Sequence, residues 1–374
     1  MIFSALRDRC KNECEFVERQ LELGLDAVAH MPGILPRFHP DVSIGEWKER
    51  PANERYPVLH RVYHTPAGDL TASVRQTEDW PYRDHVPLFD DFLAPRSTKF
   101  LVTEQADIEK FRYLMRPPSD EDIRQFRAQA REMKRFAEAK GVLLCGGRDR
   151  WAKLRHLPVY GAQYEVVGCD ALMWICGGTA PLYWTHDQPE MLEELIDVIA
   201  TWSRRLMELY LAEGIDLIIK RGWYESADFW SPRLYKRFIS PVMKKDIELS
   251  HQAGVKFGYI MTTGTMPRLD DMIELKVDVN IGVDPLQRGG IDLKLLKEKS
   301  NSKLCLWGGV NGCHTIECGT QEEVEASVAN AFRFLSNSSG FILSPVDNIT
   351  EDTEQTWRNI RHLIDAWKRM RYVT

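Results

Sequence analysis

The chain has no apolar run approaching the roughly 18 to 20 residues that cross a bilayer. Its amino terminus, MIFSALRDRCKNECE, becomes charged too early for a secretory signal. Both absences lead us to expect a cytoplasmic protein with no membrane partner. A basic stripe is missing as well: the net charge is -6, with Lys, Arg, Asp and Glu interspersed. Nothing would neutralise a phosphate backbone, so nucleic acid is not an expected partner. Neither GxGxxG nor GxxxxGKS/T occurs, which removes the glycine-rich phosphate turns usual in open nucleotide-binding sheets. The eight cysteines, at 10, 14, 145, 169, 176, 305, 313 and 318, include no CxxC pair. That excludes a zinc ribbon and a thioredoxin-type motif, and we expect reduced thiols, mostly in the core. Cys313, His314 and Cys318 come nearest to a ligand cluster, but structural zinc takes four ligands and only three are offered, so they read as a loop. No internal repeat or low-complexity segment is visible.

What is present is ordinary globular material: 374 residues, 44% hydrophobic and 28% charged, enough for one large α/β barrel or two smaller domains. From about residue 119 onward, long amphipathic segments alternate with short apolar runs, the rhythm of βα units. Helix starts are marked by Ser119, by Asp187, by Ser231 before Pro232, and by a capping box from Thr320 to Glu323; Gly141, Gly214 and Gly254 mark stops. Eight runs read as strands: 25–30, 142–147, 171–176, 215–220, 255–260, 277–282, 303–308 and 340–345. We therefore expect a single (β/α)8 barrel domain over residues 1–374. Residues 31–118 break the rhythm with prolines, a strand pair around LHRVYHTPAGDLTASVRQTE and a charged aromatic stretch, and read as an insertion over the barrel mouth.

In a barrel the residues leaving each strand converge on one mouth. Those residues are His30, Arg148 and Asp149, Lys220 to Asp228, Tyr259 to Gly264, Asp284, Asn311, and Asp347 with Asn348. Each alone also reads as a turn or cap residue. Together they offer carboxylates beside Arg and Lys, which is what acid-base or metal chemistry needs. Trp223, Tyr224, Trp230 and Trp307 are either an aromatic floor for them or core residues.

Glu225 with SADFWSPRLYKRFISPVMKKDIE, then GVKFGYIMTTGTMPRLDDM, VDVNIGVDP, LCLWGGVNG, GTQEEVEASV and GFILSPVDNITEDTEQTWRNIRHL, resembles in order the carboxyl-terminal half of the uroporphyrinogen decarboxylase superfamily, over roughly residues 165 to 370. The resemblance implies a (β/α)8 barrel. It also implies one of two chemistries, that of the haem-pathway decarboxylases or that of the zinc-dependent, cobalamin-linked methyltransferases. The decarboxylases' arginine-rich signature, PVWxMRQAGR, is absent, and Asp347 stands where they carry a histidine after the last strand. The methyltransferases' zinc-ligand positions hold Met261, Thr263 and Asp347. A thioether and a hydroxyl bind zinc poorly, so the usual zinc site is expected to be missing. The alternatives are a harder metal on Glu225, Asp228, Asp284 and Asp347, or a metal-free site in which Met261 lines an apolar pocket and Tyr259 and Thr263 bind substrate.

The leading reading is a methyltransferase-like enzyme moving a methyl group between a small methylated substrate and a corrinoid protein or thiol. Its catalytic set is Glu225, Asp228 and Asp347. Its substrate contacts are His30, Arg148, Lys220, Arg221, Trp223, Tyr259, Met261, Thr263, Asp284, Trp307, Asn311 and Asn348. A corrinoid carried by a partner protein is the cofactor this reading implies. The second reading is a decarboxylase of a porphyrinogen or smaller acid, with Arg37, Arg61, Arg83 and Arg148 as its cations. The third is a barrel that binds a ligand without catalysis.

Overall fold

The computed structural model describes residues 2–34, 38–148, 166–287, 290–336 and 340–371. The strands are β1 (Ile2–Phe3), β2 (Val28–His30), β3 (Ser43–Glu49), β4 (Val58–Thr65), β5 (Gly68–Arg75), β6 (Ser97–Lys99), β7 (Leu143–Gly146), β8 (Leu217–Arg221), β9 (Lys256–Ile260), β10 (Val279–Val283), β11 (Cys305–Asn311), β12 (Phe341–Val346) and β13 (Asn348–Ile349). Seven of them form one parallel sheet in the order β12-β11-β10-β9-β8-β7-β2. Parallel neighbours need long crossovers, and helices such as Pro189–Ala212, Ser240–Gln252, Thr265–Glu274 and Gln321–Leu335 supply them. The caps expected from sequence are in place: Ser119 and Asp122 form a capping box, Gly141 ends that helix in the left-handed region, and Thr320 and Glu323 form another box. Asp187 instead ends the helix Ala180–Asp187, and Gln188 caps the next one.

Period-two alternation sorts the strand side chains onto two faces. Cys145, Leu217, Ile219, Ile260, Val279, Ile281 and Trp307 make one cluster, and Val28 and Ile342 from the two edge strands pack on it. Opposite edges can share a cluster only if the sheet curls round on itself. Among the described residues no ladder joins β12 to β2. The opposite parity, including Ile218, Phe257, Tyr259 and Met261, belongs to the larger core beneath the helices.

One expected strand is wrong. Residues 171–176 lie in a helix, Asp170–Cys176, in which every residue except Met173 is buried. A short segment buried nearly all round shows no polar alternation, so its sequence cannot separate helix from strand. Between β2 and β7 the chain builds an antiparallel sheet, β3-β4-β5-β6. The expected hairpin is β4 with β5. The flanking β3 was not foreseen: its SIGEWKE sequence is almost entirely exposed and carries no core-facing alternation.

Gly308, with φ 151°, brings β11 against β10 so closely that a Cβ would meet the Val283 carbonyl oxygen at 2.4 Å and its nitrogen at 2.7 Å. Backbone cannot rotate away as a side chain can. Gly308→Ala is expected to destabilise the protein by ~1–3 kcal/mol, the usual cost of overpacking. Gly254→Ala, with nothing within 4 Å, should cost only the left-handed strain, ~1–2 kcal/mol. Urea denaturation midpoints of the two variants check the order.

Candidate functional site

Alternation at the end of β8 sends two neighbouring cations in opposite directions. Lys220 points to the helix side, where its ammonium donates to Asp246 at 2.6 Å, and Arg204 donates to the same carboxylate at 3.0 Å. Arg221 points the other way. Its Nε donates to Asp170 at 2.7 Å, and its Nη2 donates to both oxygens of Asp91 at 2.6 and 2.8 Å. The guanidinium also lies 4.0 Å from the Trp223 ring centre and 4.8 Å from that of Trp174, within cation–π range.

This ion pair organises the turn after β8. Asp170 accepts the backbone N–H groups of Trp223 at 3.2 Å and Tyr224 at 2.7 Å, so it holds the turn and the arginine at once. Asp91, from the segment between β6 and the antiparallel hairpin, also accepts from the Tyr224 hydroxyl at 2.9 Å and the Trp174 indole at 3.0 Å. Burial pushes the Asp91 carboxyl up, but Arg221 and the two aromatic donors outweigh it and hold it below the usual range. For the fully buried Asp170 burial wins over Arg221, and its carboxyl lies above that range.

Glu225 closes the same turn on the other side of the sheet. Its carboxylate accepts the Cys169 N–H at 2.6 Å and the Tyr259 hydroxyl. Burial pushes the Glu225 carboxyl up to about 7 against the pull of Lys220 beside it. Burial lowers the Lys220 ammonium, but Asp246 and then Glu225 outweigh it, so it stays charged.

The strand ends on the inner face enclose a pocket of ≈ 410 Å³, counting its open mouth. Its lining includes the apolar side chains of Ile260 and Ile281, the indoles of Trp223 and Trp307, the guanidinium of Arg148 and the segment Ser344 to Asn348. The Arg148 guanidinium lies 5.5 Å from the Trp223 ring centre. Gly282 leaves the space open, because a Cβ there would meet the Thr262 methyl at 2.7 Å. Asp347 sits at the exposed rim with φ 66°. Protein on its inner side, and then the charge of Asp284, push its carboxyl above the usual range. Asp284 itself accepts the Asn311 amide at 2.8 Å and the Leu286 N–H at 2.9 Å.

Of the residues expected from sequence, the pocket brings together Arg148, Trp223, Trp307, Asp347 and Asn348. His30 touches it indirectly, its Nδ1 lying 3.2 Å from the Arg148 carbonyl, and Asp284 and Asn311 form one pair beside it. Lys220, Glu225 and Tyr259 are grouped instead in the buried layer under the helices. The expected carboxylate trio is thus spread over three places, because Asp228 is an exposed turn residue bonded to Ser226. Met261 does not line the pocket: it is fully buried in the helix-facing core. Its N–H continues the β9 ladder to the Ile281 carbonyl at 2.9 Å, so alternation turns Thr262 inward in its place. Thr263 donates to Ser226 at 3.4 Å and stays outside the lining. Asp149 and Arg37 lie outside the described residues. Sequence reasoning placed Thr262 within the strand-end set Tyr259 to Gly264 but left it out of the substrate contacts, although the Ile260-x-Thr262 parity would have chosen it. It missed Asp91, Asp170 and Asp246, which meet their cations only through the fold.

The residues that the resemblance puts at the methyltransferases' zinc-ligand positions have three different surroundings. Met261 is in the core, Thr263 bonds Ser226, and Asp347 is at the rim. Among the described residues no three His, Cys, Asp or Glu side chains are grouped to hold a metal. No helix among them is long and apolar enough to cross a membrane.

Two outcomes follow from these networks. Asp170→Ala strips the buried Arg221 of one partner and two backbone N–H groups of their acceptor, and is expected to cost ~3–5 kcal/mol in denaturation free energy. Glu225 has a folded-state pKa raised from 4.5 to about 7, so its contribution to stability is complete below 4.5 and is lost as pH climbs through about 7. Glu225→Gln should flatten that decline, read as urea midpoints across the range; an unchanged slope would assign the decline to other groups.

The sequence model of the family described as Uroporphyrinogen decarboxylase (URO-D) matches residues 175–370. No curated protein matches the sequence. Among solved structures, a methyltransferase from Methanosarcina mazei has the same fold, with a TM-score of 0.53 and 16% identity over 96% of this chain and 85% of that one. A B12-independent methionine synthase from Shewanella sp. W3-18-1 gives a TM-score of 0.39 and 11% identity over 64% of this chain and 65% of that one. D-psicose 3-epimerase from Clostridium cellulolyticum H10 gives 0.37 and 12% over 66% and 84%. With more than half of its 374 residues, the strands β8 to β12 among them, matched by the model of one family, the chain belongs to the uroporphyrinogen decarboxylase family.

Proposed function

We propose that the chain is a methyltransferase-like enzyme of this superfamily, moving a methyl group between a small methylated compound and an acceptor that enters the mouth of a (β/α)8-type barrel. The carrying observation is the make-up of the mouth pocket: two indoles, one guanidinium, the rim carboxyl of Asp347 and the apolar side chains of Ile260 and Ile281. Trp223 and Trp307 would hold the methylated end by contact with their faces. Arg148, whose guanidinium lies over the Trp223 ring, would hold an anionic group next to it. Asp347, its carboxyl pushed up, would give a proton to the heteroatom as the methyl leaves. A corrinoid on a partner protein docked over the mouth would supply the methyl acceptor or donor. A thiol acceptor has less support, since the residues at the zinc-ligand positions do not assemble to lower its pKa.

The decarboxylase reading needs several cations around one cavity. Of the arginines considered for it, Arg148 lines the pocket, Arg83 is exposed elsewhere, and Arg61 is buried in the antiparallel sheet and paired with Glu46 at 2.7 Å. Among the described residues Arg148 is the one of these arginines that lines the pocket, which favours a substrate with fewer carboxylates than a porphyrinogen.

The test is visible absorbance of cob(I)alamin mixed with the protein and a panel of methylated amines, sulfides and phenyl ethers. Formation of methylcob(III)alamin with at least one substrate is expected, slowed ~10²- to 10⁴-fold in Asp347→Asn. No cobalt change with any substrate, together with carboxylate loss from uroporphyrinogen, would replace methyl transfer by decarboxylation.

A further inference from the structure

The cysteines left unused by the site are not all alike. Cys145, Cys169 and Cys176 are buried and Cys10, Cys14 and Cys305 half-buried, whereas Cys313 and Cys318 are both exposed. These two stand five residues apart. In an α-helix such positions would point about 140° away from each other at 3.6 residues per turn. Here the chain after β11 forms a π-helical turn, Gly312–Glu317, and the Cys318 N–H closes on the Cys313 carbonyl at 3.1 Å. A turn of that width brings residues five apart onto one face. The Cys318 N–H bond to the Cys313 carbonyl therefore sets the two exposed cysteines on the same side of the turn.

The turn is held in this form from outside. The buried Asn359 amide, on the helix Glu354–Met370, donates to the carbonyls of Ile316 at 3.0 Å and Gly319 at 2.7 Å. Asn311 accepts the His314 N–H at 2.7 Å, and its amide donates to Asp284 beside the pocket. Glu317 accepts the N–H groups of Thr350 at 2.5 Å and Glu351 at 3.0 Å, in the segment that follows the rim residues Asp347 and Asn348. Two accessible cysteines therefore share one side of a turn that is bonded at one end, through Asn311, to Asp284 beside the pocket and at the other to the rim segment.

We propose that Cys313 and Cys318 are a reversible dithiol–disulfide pair that closes this turn covalently. With a low-molecular-weight disulfide as oxidant, the thiolate of one cysteine attacks a sulfur of the oxidant and expels one thiolate, leaving a mixed disulfide. The thiolate of the other then attacks the cysteine sulfur of that mixed disulfide and expels the second. Two electrons pass from the protein dithiol to the oxidant, and the two protein thiol protons end on the two released thiols. Slight burial, and then the Glu317 carboxylate, push the Cys313 thiol up, so the rate of closure rises with pH.

The test uses the full chain, reduced and then incubated with glutathione disulfide, and reads the digest by mass with fragmentation to locate links. The expected result is loss of two hydrogens from the segment carrying both residues, a 313–318 link reversed by dithiothreitol, and arrest of Cys318→Ser at a single glutathione adduct on Cys313. Wild-type protein that stays reduced at both positions, or that carries glutathione adducts without the internal link, would overturn the proposal.

Discussion

The Arg221 ion pair is the interaction on which the rest of the site depends. A guanidinium at the carboxyl end of β8 is buried, and such a charge is tolerated only where partners replace its lost hydration. Asp170 and Asp91 do so from two separate parts of the chain, one on the helix after residue 166 and one from the segment between β2 and β7. Because Asp170 also accepts the Trp223 and Tyr224 N–H groups, satisfying the charge fixes the turn. The turn in turn presents the Trp223 ring to the pocket. Folding energetics and pocket shape are thus coupled through one carboxylate.

The alternation that separates Lys220 from Arg221 also divides the site into two layers. On the inner side lie the pocket, its indoles and Asp347. Behind the sheet lies a closed layer of Lys220, Asp246, Glu225 and Tyr259, with Glu225 and Lys220 nearly inaccessible to solvent. Groups in that layer act on the inner side only through the backbone they hold, chiefly the Gly222–Glu225 turn. This is why the strand-end carboxylates, equivalent as sequence, differ so much in surroundings: Asp347 meets solvent at the rim, and Glu225 meets a tyrosine and an N–H in the interior.

Much of this was legible before any coordinates. Seven of the eight strands stood out because buried parallel strands are short apolar runs closed by glycine or polar residues, and helix ends such as Ser119 and Thr320 announced themselves by capping chemistry. The run at 171–176 failed because a helix buried nearly all round carries no periodic signal. Arg148, Trp223, Trp307, Asp347 and Asn348 could be assigned to one mouth because barrel geometry makes strand ends converge. Met261 was misassigned by reading the turn as a unit; counting from Ile260 by twos would have chosen Thr262. The partners of the buried cations were not legible at all. Asp91 is 130 residues from Arg221, and nothing local distinguishes it from its neighbour Asp90.

The central claim is that a methylated substrate sits between Trp223 and Trp307 at the strand-end pocket. Proton NMR of a ¹³C-methyl-labelled substrate in the presence of the protein tests it most directly, since ring currents act only over short distances. The account predicts an upfield shift of the bound methyl signal that collapses in Trp307→Leu. A bound methyl with an unshifted resonance, or a shift that persists when both indoles are replaced, would contradict it.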